Sequence, residues 1–134
     1  MNVDNVFAPI DIAVSGLKAQ SKQMEVISSN IANAQTVQTA SGQPYRRLEA
    51  IFQSADEGIA GVEVARVVPD MSEFQMLLDP QSPRADERGY VAMPNVSIPV
   101  EIMNSTIASR AYQANAAILR RYQKMVETTL ELLR

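Results

Sequence analysis

The sequence predicts an α+β fold that is mainly α: long N- and C-terminal helices paired as a coiled-coil-like unit, with a small β-rich insertion between them. Three observations predict it. Both ends carry apolar residues at alternating spacings of three and four, the repeat of a helix that packs on another helix. The middle is instead broken by Gly, Pro and Asp into short runs with β-branched or aromatic residues, which is strand and turn chemistry. The apolar content is 46% of 134 residues, yet Trp is absent and aromatics are only 5%, so Ala, Val, Ile, Leu and Met must do the packing. A chain of this length has room for one ordinary domain.

The first helix is expected over Val6–Asn33. Ile10, Ala13, Leu17, Met24, Ile27, Ile31 and Ala34 form one seam, with Gln20 in its gap. Asp11, Ser15, Lys18, Lys22, Glu25 and Ser29 trace a polar stripe, expected to face water. On another flank Ile12, Gly16, Ala19 and Val26 are small or apolar, where a second backbone can come close. Asn30 and Asn33 near the end suit a C-cap, because Asn tolerates left-handed geometry and bonds nearby backbone. A sharper reading gives them hydrogen bonds to neighbouring subunits.

The Thr-rich segment 35–43 then reads as a loop. Leu48–Gln53, Gly61–Val68 and Phe74–Leu78 are expected strands. Asp79–Pro99 carries Pro80, Pro83, Pro94 and Pro99 and is expected to be a connector without a helix. The last helix is placed from an N-cap at Ser97, with Pro99 tolerated in the first turn, to about Leu133. Val100, Met103, Ile107, Ala111, Ala114, Ile118, Tyr122 and Met125 repeat by three, four and four along it. That eleven-residue repeat keeps a helix nearly straight. Thr106, Arg110, Gln113, Arg120, Lys124, Glu127 and Glu131 make a polar stripe expected on the opposite side. Some 36 residues at about 1.5 Å each span about 54 Å, whereas a globule of this mass is only about 36 Å across. The helix must project, and its apolar face needs cover from the first helix and from other subunits. The boundaries that follow are residues 1–36 and 97–134 for a terminal helical domain and 37–96 for the inserted β-rich part with its connector.

Composition excludes several functions. No Cys and no His occur, which removes thiol chemistry and every His-based acid–base scheme. No nucleotide-binding or metalloprotease motif is present, so no catalytic, cofactor or metal residue is expected. The neighbouring carboxylates Asp56 and Glu57, and Asp86 and Glu87, read as solvated loop surface. The net charge of −3 gives no basic field for nucleic acid. Residues 40–95 sum to −4 and residues 96–134 to +2, so the basic excess sits on the last helix. The N-terminus lacks the basic and apolar regions of a secretory signal, and no stretch is apolar enough to span a membrane. Export without a cleaved signal peptide and no direct membrane insertion are therefore expected.

Four blocks, in order along nearly the whole chain, carry a resemblance. They are Ser28-Ser29-Asn30-Ile31-Ala32-Asn33-Ala34; Gly42-Gln43-Pro44-Tyr45-Arg46-Arg47; Asp79-Pro80 through Gly89-Tyr90-Val91 to Pro94-Asn95-Val96; and Ser109-Arg110-Ala111-Tyr112-Gln113-Ala114-Asn115. Together they resemble the bacterial flagellar rod and hook family, and its proximal-rod members in particular. The resemblance implies export through the flagellar type III apparatus and a place in the rod of the basal body, which spans the periplasm. It implies contact with other rod proteins and copies of itself, with the MS ring and the base of the export apparatus nearby. It also implies terminal helices packed in a tube that transmits torque and surrounds the export channel. Ile10, Leu17, Met24, Ile27, Ile31, Asn30 and Asn33, with the apolar repeat of the last helix, are then the expected subunit-packing residues. The stripe Arg110, Gln113, Arg120, Lys124 and Glu127 is expected to face the channel or a neighbour. The alternatives are a different axial subunit, or a free-standing helical interaction module.

Overall fold

The structure is a computed structural model, and it describes residues 4–55 and 61–133, with side-chain environments from Ala8 onward. Its elements run α1 (Asp4–Ala32), β1 (Leu48–Ser54), β2 (Val62–Pro69), β3 (Gln75–Leu78), β4 (Tyr90–Met93) and α2 (Ile98–Leu132). The expected architecture is present: two long helices pack on each other, and the strands lie between them in sequence. α1 begins two residues before the expected start and keeps Pro9 within it. α2 begins where expected, yet the side chain of Ser97 makes no capping bond. Ser97 instead contributes its carbonyl, which accepts the Glu101 N–H at 3.0 Å.

The strands form two separate antiparallel pairs, β1 with β2 and β3 with β4. β1 and β2 pair from Leu48↔Pro69 to Ser54↔Val62, with an irregularity between Ile51 and Phe52. The fourth strand lies in the segment expected to be a plain connector. Four residues between Gly89 and Pro94 are too short to announce a strand, and the pairing with β3 supplies what local sequence does not. Gly89 permits that hairpin: its φ is +81°, and a Cβ there would lie 3.1 Å from the Pro80 ring. Asp86 holds the same loop, its Oδ1 accepting the N–H of Arg88 and of Tyr90. Its carboxylate is thus spent on a turn. Asp56 and Glu57 lie outside the described residues.

Two expectations about α1 change. The buried side chains on it are Ala13, Ala19, Val26, Ile27 and Asn30, with Gly16 buried among them, whereas Ile10, Leu17, Met24 and Ile31 are half-buried. The small flank, more than the apolar seam, faces α2, because small residues let two backbones approach. The polar stripe expected to be wet is in part the dock for β1 and β2. Ser15 sits on it, accepts the Val62 N–H at 3.0 Å and donates to the Ile12 carbonyl at 2.7 Å.

Candidate functional site

The helices meet in an antiparallel register marked by two contacts. Near one end Asn30 meets Glu101, and fourteen residues along each helix Gly16 meets Asn115. A Cβ at position 16 would lie 2.6 Å from Asn115 Nδ2, so only glycine fits there without movement. Asn115 is held over it by donating to the Ala111 carbonyl at 3.1 Å.

The Asn30 end is a buried polar joint. Asn30 is 0% exposed, and its amide uses every hydrogen-bonding position it has. Nδ2 donates to the Leu48 carbonyl at 2.9 Å and to Glu101 Oε2 at 3.1 Å. Oδ1 accepts the Leu48 N–H at 2.8 Å and the Tyr45 hydroxyl at 3.0 Å. Asn30 is therefore neither a helix cap nor free for a neighbour, correcting both expectations. Asn33 does the capping instead, donating through Nδ2 to the Ser29 carbonyl at 3.0 Å and accepting from Thr36 Oγ1. It does so without left-handed backbone, since no described non-glycine residue has positive φ.

Glu101, also 0% exposed, accepts Arg47 Nε at 2.7 Å through its other oxygen. Arg47 also pairs with Glu49 and lies 3.5 Å from Asp70. Burial lowers the basicity of this guanidinium, yet hydrogen bonds and attraction from Glu101 and Glu49 outweigh it and hold the pKa above its ordinary value. Asp70 is held below the usual carboxylate range, first by the Ser72 N–H, which it accepts at 2.9 Å, and also by Arg47. Asn95 closes the joint from the connector. It accepts the Arg47 N–H at 2.8 Å and donates to the Asp70 carbonyl and to Ser72 Oγ. Arg46 lies with its guanidinium 4.2 Å from the centre of the Phe74 ring. The end of α1, the start of β1, the connector and the first turn of α2 are thus tied at one point.

Away from the joint, the surface of α2 is open. At 3.6 residues per turn its residues sort into three sectors. Glu101, Ala108, Asn115 and Leu119 face α1, and Ala111 and Tyr122 flank them, half-buried. Val100, Met103, Ile107, Ile118 and Met125 form a second sector that no described residue covers, with exposures from 44% to 59%. Ala114 is exposed in the same sector. Arg110, Gln113, Arg120, Lys124 and Glu127 form the third, all exposed. The polar and apolar sectors are separated by about a third of a turn rather than being opposed, because the small-residue face takes the remaining third. Among the described residues no set of three acidic, His or Cys side chains is placed to hold a metal, and no helix is long and apolar enough to cross a membrane.

Sequence reasoning missed the joint, although several of its parts lay inside the four blocks. The available signal was Glu101 standing seven residues before Ala108 and fourteen before Asn115, a charge on the small-residue face of a long helix. Ser29, Asn30 and Asn33 come from the first block, Tyr45 to Arg47 from the second and Asn95 from the third, while the fourth supplies Asn115 of the separate Gly16 contact.

Comparison with known proteins agrees with these placements. Residues 10–37, most of α1 and the turn after it, match the model of the flagella basal body rod protein family. Residues 87–132, β4 and α2, match that of the flagellar basal body rod FlgEFG protein C-terminal region. The flagellar basal-body rod protein FlgC of Yersinia enterocolitica is 41% identical, over 98% of this chain and 98% of its own. The FlgC proteins of Salmonella typhimurium and Escherichia coli O157:H7 are 42% and 44% identical, each over 96% of both chains. With relatives this similar from end to end, the chain belongs to the FlgC family of flagellar basal-body rod proteins.

Proposed function

We propose that this chain is a non-enzymatic structural subunit of the basal-body rod that polymerises through its terminal helices into a tube. The tube transmits torque and surrounds the protein export channel. The partners are copies of the chain and other rod proteins, with the MS ring and the base of the export apparatus close by, and the place is the proximal rod in the periplasm. The observation that carries this reading is the uncovered apolar sector of α2. Exposed Val100, Met103, Ile107, Ile118 and Met125 run along some 25 residues, or about 38 Å of helix. Single exposed apolar residues are ordinary, whereas a continuous strip marks a surface that another protein covers. The polar sector Arg110, Gln113, Arg120, Lys124 and Glu127 is then the channel-facing or neighbour-facing side, and Ile10, Leu17, Met24 and Ile31 add partly exposed apolar surface on α1.

Capture of purified variants by isolated basal bodies tests this. Ile107→Asp or Ile118→Asp puts an unpaired charge into a helix interface, a strongly unfavourable burial, and is expected to abolish incorporation. Arg120→Gln and Lys124→Gln are expected to incorporate normally. Incorporation of the Asp variants with failure of the Gln variants would mean that the two sectors have exchanged roles. Incorporation of all four would remove the terminal helices from the interface.

A further inference from the structure

We infer that the two contacts Asn30–Glu101 and Gly16–Asn115 are register pins: they select one longitudinal alignment of α1 against α2, and so fix the combined outer surface offered to neighbours. This rests on the assembly reading only for its consequence. The pinning itself is a property of the single chain.

The facing residues include Ala13, Ala19, Ala108 and Ala111 beside Val26 and Ile27, and the small side chains among them present similar ridges one heptad further along. A slide of seven residues, about 10 Å, keeps the same faces together. The native alignment pairs Gln23 with Ala108 and Ala19 with Tyr112. One slide sets Glu101 opposite Gln23, takes Asn30 beyond the start of α2 and leaves Asn115 facing Pro9. The opposite slide buries Asn30 against Ala108, moves Glu101 past the end of α1 and sets Gly16 opposite Tyr122. Either slide separates Glu101 from both Asn30 and the Arg47 that β1 holds in place. It also takes Asn115 off the one position without a side chain. Leaving a buried carboxylate or amide without its partner is costly, so the polar contacts discriminate where the alanines cannot. Their spacing of fourteen residues on both helices means that one alignment satisfies both.

The absence of native Cys allows a direct reading by disulfide trapping in the full chain. Ala19→Cys is paired with Tyr112→Cys for the native alignment, or with Ser105→Cys or Leu119→Cys for the two slid ones. With the pins intact, the native pair is expected to cross-link at least about tenfold more than either slid pair. Gly16→Ala with Asn115→Ala exchanges one pin for two small residues and keeps the volume of the contact nearly unchanged. Adding Glu101→Ala removes the other. Slid cross-links are expected to rise several-fold in the first variant and to approach the native pair in the second. If the second variant loses its helical circular dichroism, the first, which retains the polar joint, decides alone. Equal cross-linking of slid and native pairs in the parent, or an unchanged native preference in the folded variants, would overturn the pins. Variants that slide and still enter basal bodies would leave the pins standing and overturn the assembly reading instead.

Discussion

The two ends of the helical pair differ in how they are held. At the joint, Glu101 accepts from both Asn30 and Arg47, Asn30 bonds the Leu48 backbone of β1, and Asn95 adds the connector. Beyond Tyr122, every described residue from Gln123 to Leu133 is exposed, Leu132 and Leu133 at 83% and 80%. One end is closed by the chain itself, and the other is left uncovered by the described residues. Under the proposed assembly, the difference teaches that the large exposed apolar residues of α2 serve assembly, whereas a buried polar cluster ties the closed end alongside small apolar side chains. A single amphipathic helix end is marginal in water. A fully satisfied buried polar cluster can be rigid even where little apolar area is available.

Removing the joint should have the largest effect. Glu101→Ala leaves the Arg47 guanidinium partly buried with a lost partner and frees one Asn30 donor, and breaking such a pair costs about 3–5 kcal/mol. Urea unfolding of the full chain should show this loss, whereas Leu130→Ser on the overhang should change stability by less than about 0.5 kcal/mol. Similar losses for the two would erase the contrast. Next comes the close approach between the ends. Gly16→Leu must displace Asn115, and overpacking of this kind costs about 1–3 kcal/mol. It should abolish capture by basal bodies while hydrogen exchange in the β1–β2 pair stays protected. Normal capture would mean that the helices need not touch at that point.

The smallest effect is expected at the rim of the joint. Asp70 has a folded pKa below its unfolded value, through the Ser72 N–H and Arg47. Its contribution is therefore present above the unfolded pKa and disappears as pH falls through the lower folded value. The parent should lose stability over this acid range, and Asp70→Asn should flatten part of the loss while lowering stability at neutral pH. An identical acid profile would show that Asp70 does not contribute to the joint.

By itself the sequence determined the two helices, their approximate ends, three of the four strands and the sorting of α2 into apolar and polar stripes. These are periodic or locally coded properties, set by 3.6 residues per turn, by Pro99 near a helix start and by the Gly and Pro breaks of the middle. It also carried the family resemblance, through blocks whose physical role it did not disclose. Only the tertiary structure decided which face of each helix meets the other. Ile10, Leu17, Met24 and Ile31 look more like an interhelical seam than Gly16, Ala19 and Asn30 do, yet the latter are buried, together with Ala13, Val26 and Ile27, and the former only half-buried. Hydrophobicity says which residues leave water, but in an assembling subunit it does not say whether the cover comes from the same chain. Asn30 shows the same limit for polar groups. Its four hydrogen bonds reach residues 15, 18 and 71 positions away, and no local pattern encodes partners at that distance. β4 became a strand because β3 lies beside it, and Glu101 became a buried ion because folding brings Arg47 within reach.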